Sequence, residues 1–223
     1  MTKALGQMTG ATAAGEPLVE VTRGGVVESV HRGHAVAVEG DGRIVARLGS
    51  TEAVAFVRSA AKPHQALPLV ASGAADRFGL SPAELAVACG SHNGEPVHTA
   101  AVLSVLSKIG LDASALKCGA QEPYGKEAAA ALRERGERPS ALHNNCSGKH
   151  AALLALARHL GAPTASYDRP DSPVQRAVFR SVSLFSGVPV EQLTYGVDGC
   201  GLPTFALSVR TMALMLARFV APP

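Results

Sequence analysis

Residues 58–63 read Arg-Ser-Ala-Ala-Lys-Pro (RSAAKP) and mark the point where the hydrophobic pattern of the chain changes. Before them, from residue 18 to 56, short β-rich segments alternate with glycines, and Gly40-Asp41-Gly42 is typical of a hairpin turn. After them, apolar residues recur at helical spacing. Strands followed by helices predict an α+β fold, in which an antiparallel meander precedes a helical region.

The individual elements follow from the same patterns. Ser81-Pro82-Ala83-Glu84 is a capping box with proline at the first helical position, so a helix is predicted to begin there. A short strand is predicted at 193–197 and a last helix from about Pro203. Residues 1–17 are predicted to form a disordered or frayed N-terminus and residues 18–223 one domain. Other predicted strands are 18–22, 26–30, 35–39 and 43–48, and other predicted helices begin or lie at 59–70, 97–109, 126–135, 148–160 and 173–185.

Composition restricts the class of protein. Of the 223 residues, 47% are hydrophobic and 17% are charged, which predicts a folded chain. The net charge is +3 without any block of like charges, and aromatic residues make up 4%, so nucleic acid is not an expected partner. Neither a signal peptide nor an apolar run of roughly 20 residues is visible. We therefore expect a cytoplasmic protein with no membrane partner, whose four cysteines are reduced.

The RSAAKP segment contains the first candidate for catalysis. Ser59 and Lys62 are three residues apart and share one helical face, so a desolvated lysine amine can take the proton of the serine hydroxyl. Taken alone, this pair is more typical of an N-cap serine followed by a solvated lysine.

A second serine follows in the segment Cys-Gly-Ser-His-Asn-Gly, residues 89–94, between two predicted helices. Its residue types are typical of any turn. However, S-x-x-K followed by S-x-N, here Ser91 to Asn93, is the order found in penicillin-binding proteins and class A β-lactamases. The third motif of those enzymes, K-T-G, does not occur in the sequence.

Two further polar segments, residues 143–150 and 197–201, contain cysteine. Residues 143–150 read HNNCSGKH, and His143 and His150 occupy positions where a P-loop requires glycine and serine or threonine, so nucleotide binding is not expected. Polar residues before an apolar helix instead suggest a site at its N-terminus, where the dipole favours a thiolate. Cys146 and Cys200, with a nearby nitrogen, are suitable ligands for Zn²⁺. Buried inert thiols remain the alternative for all four cysteines.

Six segments in order resemble the L-asparaginase II family, the group of the thermolabile rhizobial asparaginases. Each segment alone is weak, whereas the ordered set is specific and extends over nearly the whole chain after residue 18. The segments are VTRGGVVESVHRG (21–33), RSAAKP (58–63), CGSHNGE (89–95), KCG (117–119), HNNCSGKH (143–150) and GVDGCGLPTFA (196–206).

The resemblance implies a fold like that of serine β-lactamases and hydrolysis of the L-asparagine side-chain amide to aspartate and ammonia. It implies Ser59, Lys62 and Ser91 as catalytic residues, with Ser59 as nucleophile. It also implies a zinc ion beside the substrate and a homodimer. The implied zinc ligands are Cys146, Lys149 and Cys200, and the residues expected near the substrate are Arg58, His92, Asn93, Asp198 and His150.

The chain departs from the family in one respect. Members continue further, and the lysine that takes the place of the K-T-G lysine lies in that additional part, so the domain is expected to lack its C-terminal part. Three alternatives therefore remain open: a truncated, inactive asparaginase-like protein, a penicilloyl-serine hydrolase, and a non-catalytic metal or thiol binder. A penicilloyl-serine hydrolase shares the Ser-Lys chemistry but acts outside the cytoplasm.

Overall fold

The structure, a computed structural model, describes residues 15–221 and has the predicted α+β fold. It divides into two compact units, one comprising the described residues up to Phe56 and from Ala206 on, the other Val57–Phe205. The fraying predicted for residues 1–17 falls mainly outside the described residues, and the first strand begins at Glu16. Within the described part, no helix combines the length and apolar character that crossing a bilayer requires.

The first unit contains two antiparallel hairpins, each a separate two-stranded sheet. The prediction of one continuous meander was wrong. Only His34 separates the second strand from the third, and a tight antiparallel connection needs about two residues, so these strands do not pair. The strands are β1 (Glu16–Arg23), β2 (Val26–Gly33), β3 (Ala35–Val38), β4 (Ile44–Leu48) and β5 (Val54–Phe56).

The last helix was predicted from Pro203, and this was wrong because Pro203–Ser208 forms a strand, β7. Proline is accepted as the first residue of a strand, and Thr204 and Phe205 favour extended backbone. Its last three residues pair antiparallel with β5. The helix α8 (Val209–Val220) begins after Ser208, whose hydroxyl accepts a hydrogen bond from the Thr211 amide at 3.1 Å, and it packs against β3.

The second unit is mainly helical and contains the candidate site. Its central helix, α6, is buried continuously from Ser147 to Ala157 and packs against α1, α3 and α4. A helix that is buried all round forms the core of its unit. The elements are α1 (Lys62–Ala71), α2 (Ala74–Arg77), α3 (Pro82–Cys89), α4 (Pro96–Lys108), α5 (Lys126–Glu134), α6 (Ser147–His159), α7 (Pro173–Ser186) and β6 (Thr194–Val197).

Two local features place α3 against α6. The predicted capping box is confirmed, since the Ser81 hydroxyl accepts from the Glu84 amide and the Glu84 carboxylate accepts from the Ser81 amide. At the other end of α3, a Cβ on Gly148 would lie 2.1 Å from the Val87 carbonyl oxygen. Only glycine allows the two backbones to approach so closely. The end of α3 is therefore held beside the start of α6.

Candidate active site

Lys62, the first residue of α1, has no solvent-exposed surface. Its Nζ lies 2.9 Å from Ser91 Oγ, 2.9 Å from the Asn145 carbonyl oxygen and 3.1 Å from the Gly90 carbonyl oxygen. Burial lowers the pKa of Lys62, because the charged form loses its hydration. The lysine therefore joins the ends of three elements: α1, the loop after α3 and the segment before α6.

Besides a side-chain hydrogen bond with Cys146, the three oxygen partners of Lys62 determine what its amine can do. Carbonyl oxygens only accept hydrogen bonds, whereas a hydroxyl can donate or accept. An ammonium group donates to all three partners. A neutral amine donates to the carbonyls of Gly90 and Asn145 and can accept a hydrogen bond from the Ser91 hydroxyl. Among these oxygen partners, Ser91 alone can exchange a proton with Lys62.

Ser59 lies one turn before Lys62, in a short 3-10 helix over Arg58–Ala61. The Lys62 amide donates to the Ser59 carbonyl, and the Ser59 side chain is exposed. Within the described residues, no hydrogen bond joins Ser59 Oγ to Lys62 Nζ. The structure brings Lys62 into direct contact with Ser91 instead, and the role of Ser59 as nucleophile stays a prediction. Both serine hydroxyls belong to exposed residues and are open to a substrate.

Arg58 has φ of +54°, the one positive φ among the described residues other than glycine. Its guanidinium lies 2.9 Å from Asp198 Oδ1, and its amide donates to Thr204 Oγ1 at 3.3 Å. The Asp198 side chain is 10% exposed and that of Arg58 65% exposed. A left-handed backbone at a residue with a long side chain is strained, and such strain is concentrated at functional sites.

The thiol cluster consists of Cys146, Lys149 and Cys200, all buried. Lys149 Nζ lies 3.5 Å from Cys200 Sγ. A hydrogen bond from Cys146 lowers the pKa of the Cys200 thiol, and the nearby His150 and Lys149 lower it further, against the opposing effect of burial. The same hydrogen bond and burial raise the pKa of Cys146. The two thiols are therefore coupled, and their hydrogen bond favours the negative charge on the Cys200 side.

The donor set of the thiol cluster fits zinc chemically. Two sulfur atoms and an amine nitrogen come together, and Zn²⁺ prefers sulfur and nitrogen ligands. Within the described chain, however, no group of three or more histidine, cysteine, aspartate or glutamate side chains could hold a metal ion. A zinc site would therefore depend on Lys149 as its third ligand. Zinc stays a prediction.

His150, which follows Lys149 in α6, is fully buried. Its Nδ1 lies 2.6 Å from the Tyr167 hydroxyl, which also accepts a hydrogen bond from the Lys117 amide at 3.0 Å. A tyrosine hydroxyl donates one hydrogen bond and accepts two, so the bond from Lys117 leaves it able to donate to His150 Nδ1 or to accept from it. The His150 side chain also forms a hydrogen bond with Cys200, which lowers the pKa of the Cys200 thiol. His150 thus contacts the thiol cluster.

Two residues of the site were missed by the sequence analysis. One is Tyr167, and the other is Asn144, whose Nδ2 donates to the Cys118 carbonyl at 2.9 Å and whose Oδ1 accepts from the Cys146 amide at 2.9 Å. Asn144 therefore fixes the backbone of Cys146. It lies inside the HNNCSGKH motif, which was a signal that could have found it, whereas Tyr167 has no motif around it.

The remaining predicted residues, His92 and Asn93, lie side by side in the loop after Ser91. His92 is buried, with 5% of its surface exposed, while Asn93 is exposed and its carbonyl accepts a hydrogen bond from the Gly125 amide at 2.9 Å. Asn93 is therefore open to a substrate, and His92 is turned into the protein.

Comparison with protein-family models gives a match over nearly the whole chain. A sequence model of the L-asparaginase II family matches residues 19–223 and thus includes every residue of the site. No curated protein matches the chain.

Proposed function

The chain belongs to the L-asparaginase II family, and we propose that it hydrolyses the side-chain amide of L-asparagine to L-aspartate and ammonia. Membership supports an asparaginase-like amidohydrolase. The observation that carries the proposal is Lys62, a fully buried lysine 2.9 Å from a serine hydroxyl. A buried amine beside a hydroxyl is the arrangement that activates serine nucleophiles without histidine.

In the proposed mechanism, Ser59 Oγ attacks the amide carbon of the substrate. Its proton passes to the Lys62 amine through Ser91, whose hydroxyl is the direct partner of Lys62. The same path returns the proton to the leaving nitrogen, so that ammonia departs and an ester with Ser59 remains. Water then cleaves the ester, which releases aspartate and restores the Ser59 hydroxyl.

Arg58 and Asp198 are proposed to bind the charged groups of the amino acid. Their side chains carry opposite charges 2.9 Å apart; Arg58 directly precedes Ser59, and Asp198 lies two residues before Cys200. Arg58 is suited to the α-carboxylate because guanidinium binds carboxylates through two parallel hydrogen bonds. Asp198 is suited to the α-ammonium. This arrangement favours a free amino acid over a peptide.

Cys146, Lys149 and Cys200 are the residues that would hold a zinc ion. Such an ion would supply a Lewis acid that orients polar groups of the substrate. Two other residues of the chain support the cluster: Asn144 holds the Cys146 backbone, and the His150 side chain hydrogen-bonds to Cys200.

The test is ammonia release from L-asparagine by the wild-type chain and by Ser59→Ala and Ser91→Ala. We expect wild-type activity, a loss of at least about 10³-fold in kcat for Ser59→Ala, and a loss of about 10²- to 10⁴-fold for Ser91→Ala. Ser107→Ala, at an exposed serine of α4, is the matched control and should retain full activity.

Two outcomes contradict the proposal. Absence of ammonia release by the wild-type chain removes the proposed substrate, and acylation by a labelled penicillin would then favour the penicilloyl-serine alternative. Near-wild-type activity of Ser59→Ala removes Ser59 as the nucleophile while leaving the substrate unchanged.

A further inference from the structure

His92 follows the proton-relay residue Ser91, yet its ring is directed into the protein, where both of its nitrogen atoms have partners. Nε2 lies 2.8 Å from Ser147 Oγ, and Nδ1 accepts a hydrogen bond from the Gly94 amide at 3.1 Å. The ring also stacks on His98, with centroids 5.2 Å apart and an interplanar angle of 15°. Because both nitrogens are used internally, the ring has no atom left to bind a substrate by hydrogen bonding.

The hydrogen bonds determine where the ring proton is. Ser147 Oγ donates its one proton to the Leu142 carbonyl at 2.9 Å, so it must accept from His92. The Gly94 amide can only donate, so His92 Nδ1 must be unprotonated. His92 is therefore a neutral imidazole with its proton on Nε2. The two hydrogen-bond partners of the ring, Ser147 and Gly94, together permit only this tautomer.

Neutrality agrees with the surroundings of the ring. Burial lowers the pKa of His92 to about 4, and the nearby His98, Lys62 and His143 lower it in the same direction.

The backbone of His92 adds a second hydrogen bond to the segment at the start of α6. Its amide donates to the Asn145 carbonyl at 3.4 Å, and this oxygen is also one of the acceptors for Lys62 Nζ. Ser147 is the first residue of α6, two positions later. The hydrogen bond from His92 Nε2 to Ser147 and the bond from the His92 amide to Asn145 both hold the loop that carries Ser91 against the start of α6. The Asn145 carbonyl also accepts a hydrogen bond from Lys62. The distance between Ser91 Oγ and Lys62 Nζ depends on these hydrogen bonds.

We propose that His92 is a positioning residue for Ser91, with Ser147 as its anchor, and that it does not bind the substrate. The proposal rests on the proposed function, in which Ser91 passes the proton between substrate and Lys62. His92 acts by holding Ser91 Oγ within hydrogen-bond distance of Lys62. A displacement of about 1 Å between reacting groups reduces rates by about 100-fold.

The kinetic test uses two substitutions that each keep half of the contacts. His92→Gln keeps a donor toward Ser147, and His92→Asn keeps an acceptor for Gly94. For His92→Asn we expect kcat for ammonia release to fall about 10- to 100-fold with KM within about twofold of wild type, and we expect Ser147→Ala to behave alike. His92→Gln should recover part of the loss. His31→Gln, at an exposed histidine of β2, is the matched control.

A double-mutant cycle separates positioning from general destabilisation. In a Ser91→Ala background, His92→Asn should reduce the residual kcat by less than about twofold, because the group that it positions is already absent. If the two losses multiply, or if KM rises while kcat is unchanged, His92 does not act through Ser91 and the proposal is overturned.

The tautomer supplies a readout that needs no activity. In the folded wild-type chain labelled with ¹⁵N-histidine, NMR should show His92 with a protonated Nε2 and an unprotonated Nδ1 at neutral pH. The opposite tautomer, or a mixture of the two, overturns the proposal. Absence of ammonia release by the wild-type chain contradicts the proposed function instead, so the two failures are distinguishable.

Discussion

Two buried lysines of the helical unit differ in what surrounds their amines. Lys62 Nζ has three oxygen partners between 2.9 and 3.1 Å, two of them main-chain carbonyls. Lys149 Nζ has a sulfur atom, Cys200 Sγ, at 3.5 Å. Each lysine is at or near the start of a helix, and both are almost completely buried.

The difference in partners assigns different chemistry to the same side chain. The carbonyls around Lys62 accept two hydrogen bonds, so among its oxygen partners a proton can move only toward Ser91, and the Cys146 thiol lies on another side of the amine. The thiolate beside Lys149 is a soft anion that attracts either the ammonium charge or a metal ion. Residue type alone therefore does not define a catalytic lysine, and the atoms within hydrogen-bond distance do.

The largest expected effect is the loss of the Lys62 amine. Lys62→Met keeps most of the side-chain volume but removes the base, and we expect kcat for ammonia release to fall about 10³-fold, equivalent to about 4 kcal/mol. Lys149→Met is the matched change in the same unit and should cost about 10-fold. Steady-state ammonia assays measure both, with circular dichroism to verify folding. Equal losses in the two variants would abolish the distinction between the lysines.

The effect of intermediate size is a pH dependence of the free energy of unfolding that is due to His92, the neighbour of the Lys62 partner Ser91. The pKa of His92 falls from its ordinary 6.5 to about 4 in the folded chain, so below pH 6.5 the unfolded chain binds a proton that the folded chain does not. The contribution of His92 to the free energy of unfolding should therefore decrease from pH 6.5 to pH 4, by about 3 kcal/mol, and then level off.

Urea unfolding at several pH values tests this contribution. The free energy of unfolding of wild type minus that of His92→Gln should decrease over this range, because glutamine has no proton to gain. A difference that is constant with pH would show that the fold does not hold His92 neutral. The loop beside Lys62 would then have no acid-sensitive contact at His92.

The smallest expected effect concerns metal affinity on the Lys149 side. Cys200→Ser replaces a thiolate by a weaker ligand, and we expect the dissociation constant for zinc to rise about 100-fold, or about 2.7 kcal/mol. Cys89→Ser, at a half-buried cysteine outside the thiol cluster, is the control and should leave it unchanged. Competition with a chromophoric chelator measures both. Equal affinities in wild type and Cys200→Ser would remove Cys200 from the ligands.

The fold was predictable wherever a local signal decides the structure. The capping box at Ser81 and the glycine-separated strands of the first unit were confirmed because hydrogen bonds between near neighbours determine them. The segment from Pro203 was assigned to the wrong element because its strand depends on β5, which is distant in sequence. Pairing between distant segments leaves no local pattern.

The same limit applies to the site. Ser59, Lys62 and Ser91 were recognisable from spacing and order, yet spacing suggested that Lys62 contacts Ser59, whereas it contacts Ser91. This contact, like that of Tyr167 with His150, depends on how helices and loops pack. Short motifs show which side chains are candidates, and packing decides which of them meet.

The close approach of α3 and α6 at Gly148 has a consequence for protein engineering. The two backbones touch with no side chain between them, so no rotamer can change there to alter the spacing of Ser91 and Cys146. Substitutions at the contact between α3 and α6 that aim to admit longer amide substrates should therefore prevent folding and so cannot improve binding. Libraries for that purpose belong at exposed positions such as Asn93, where the backbone does not have to move.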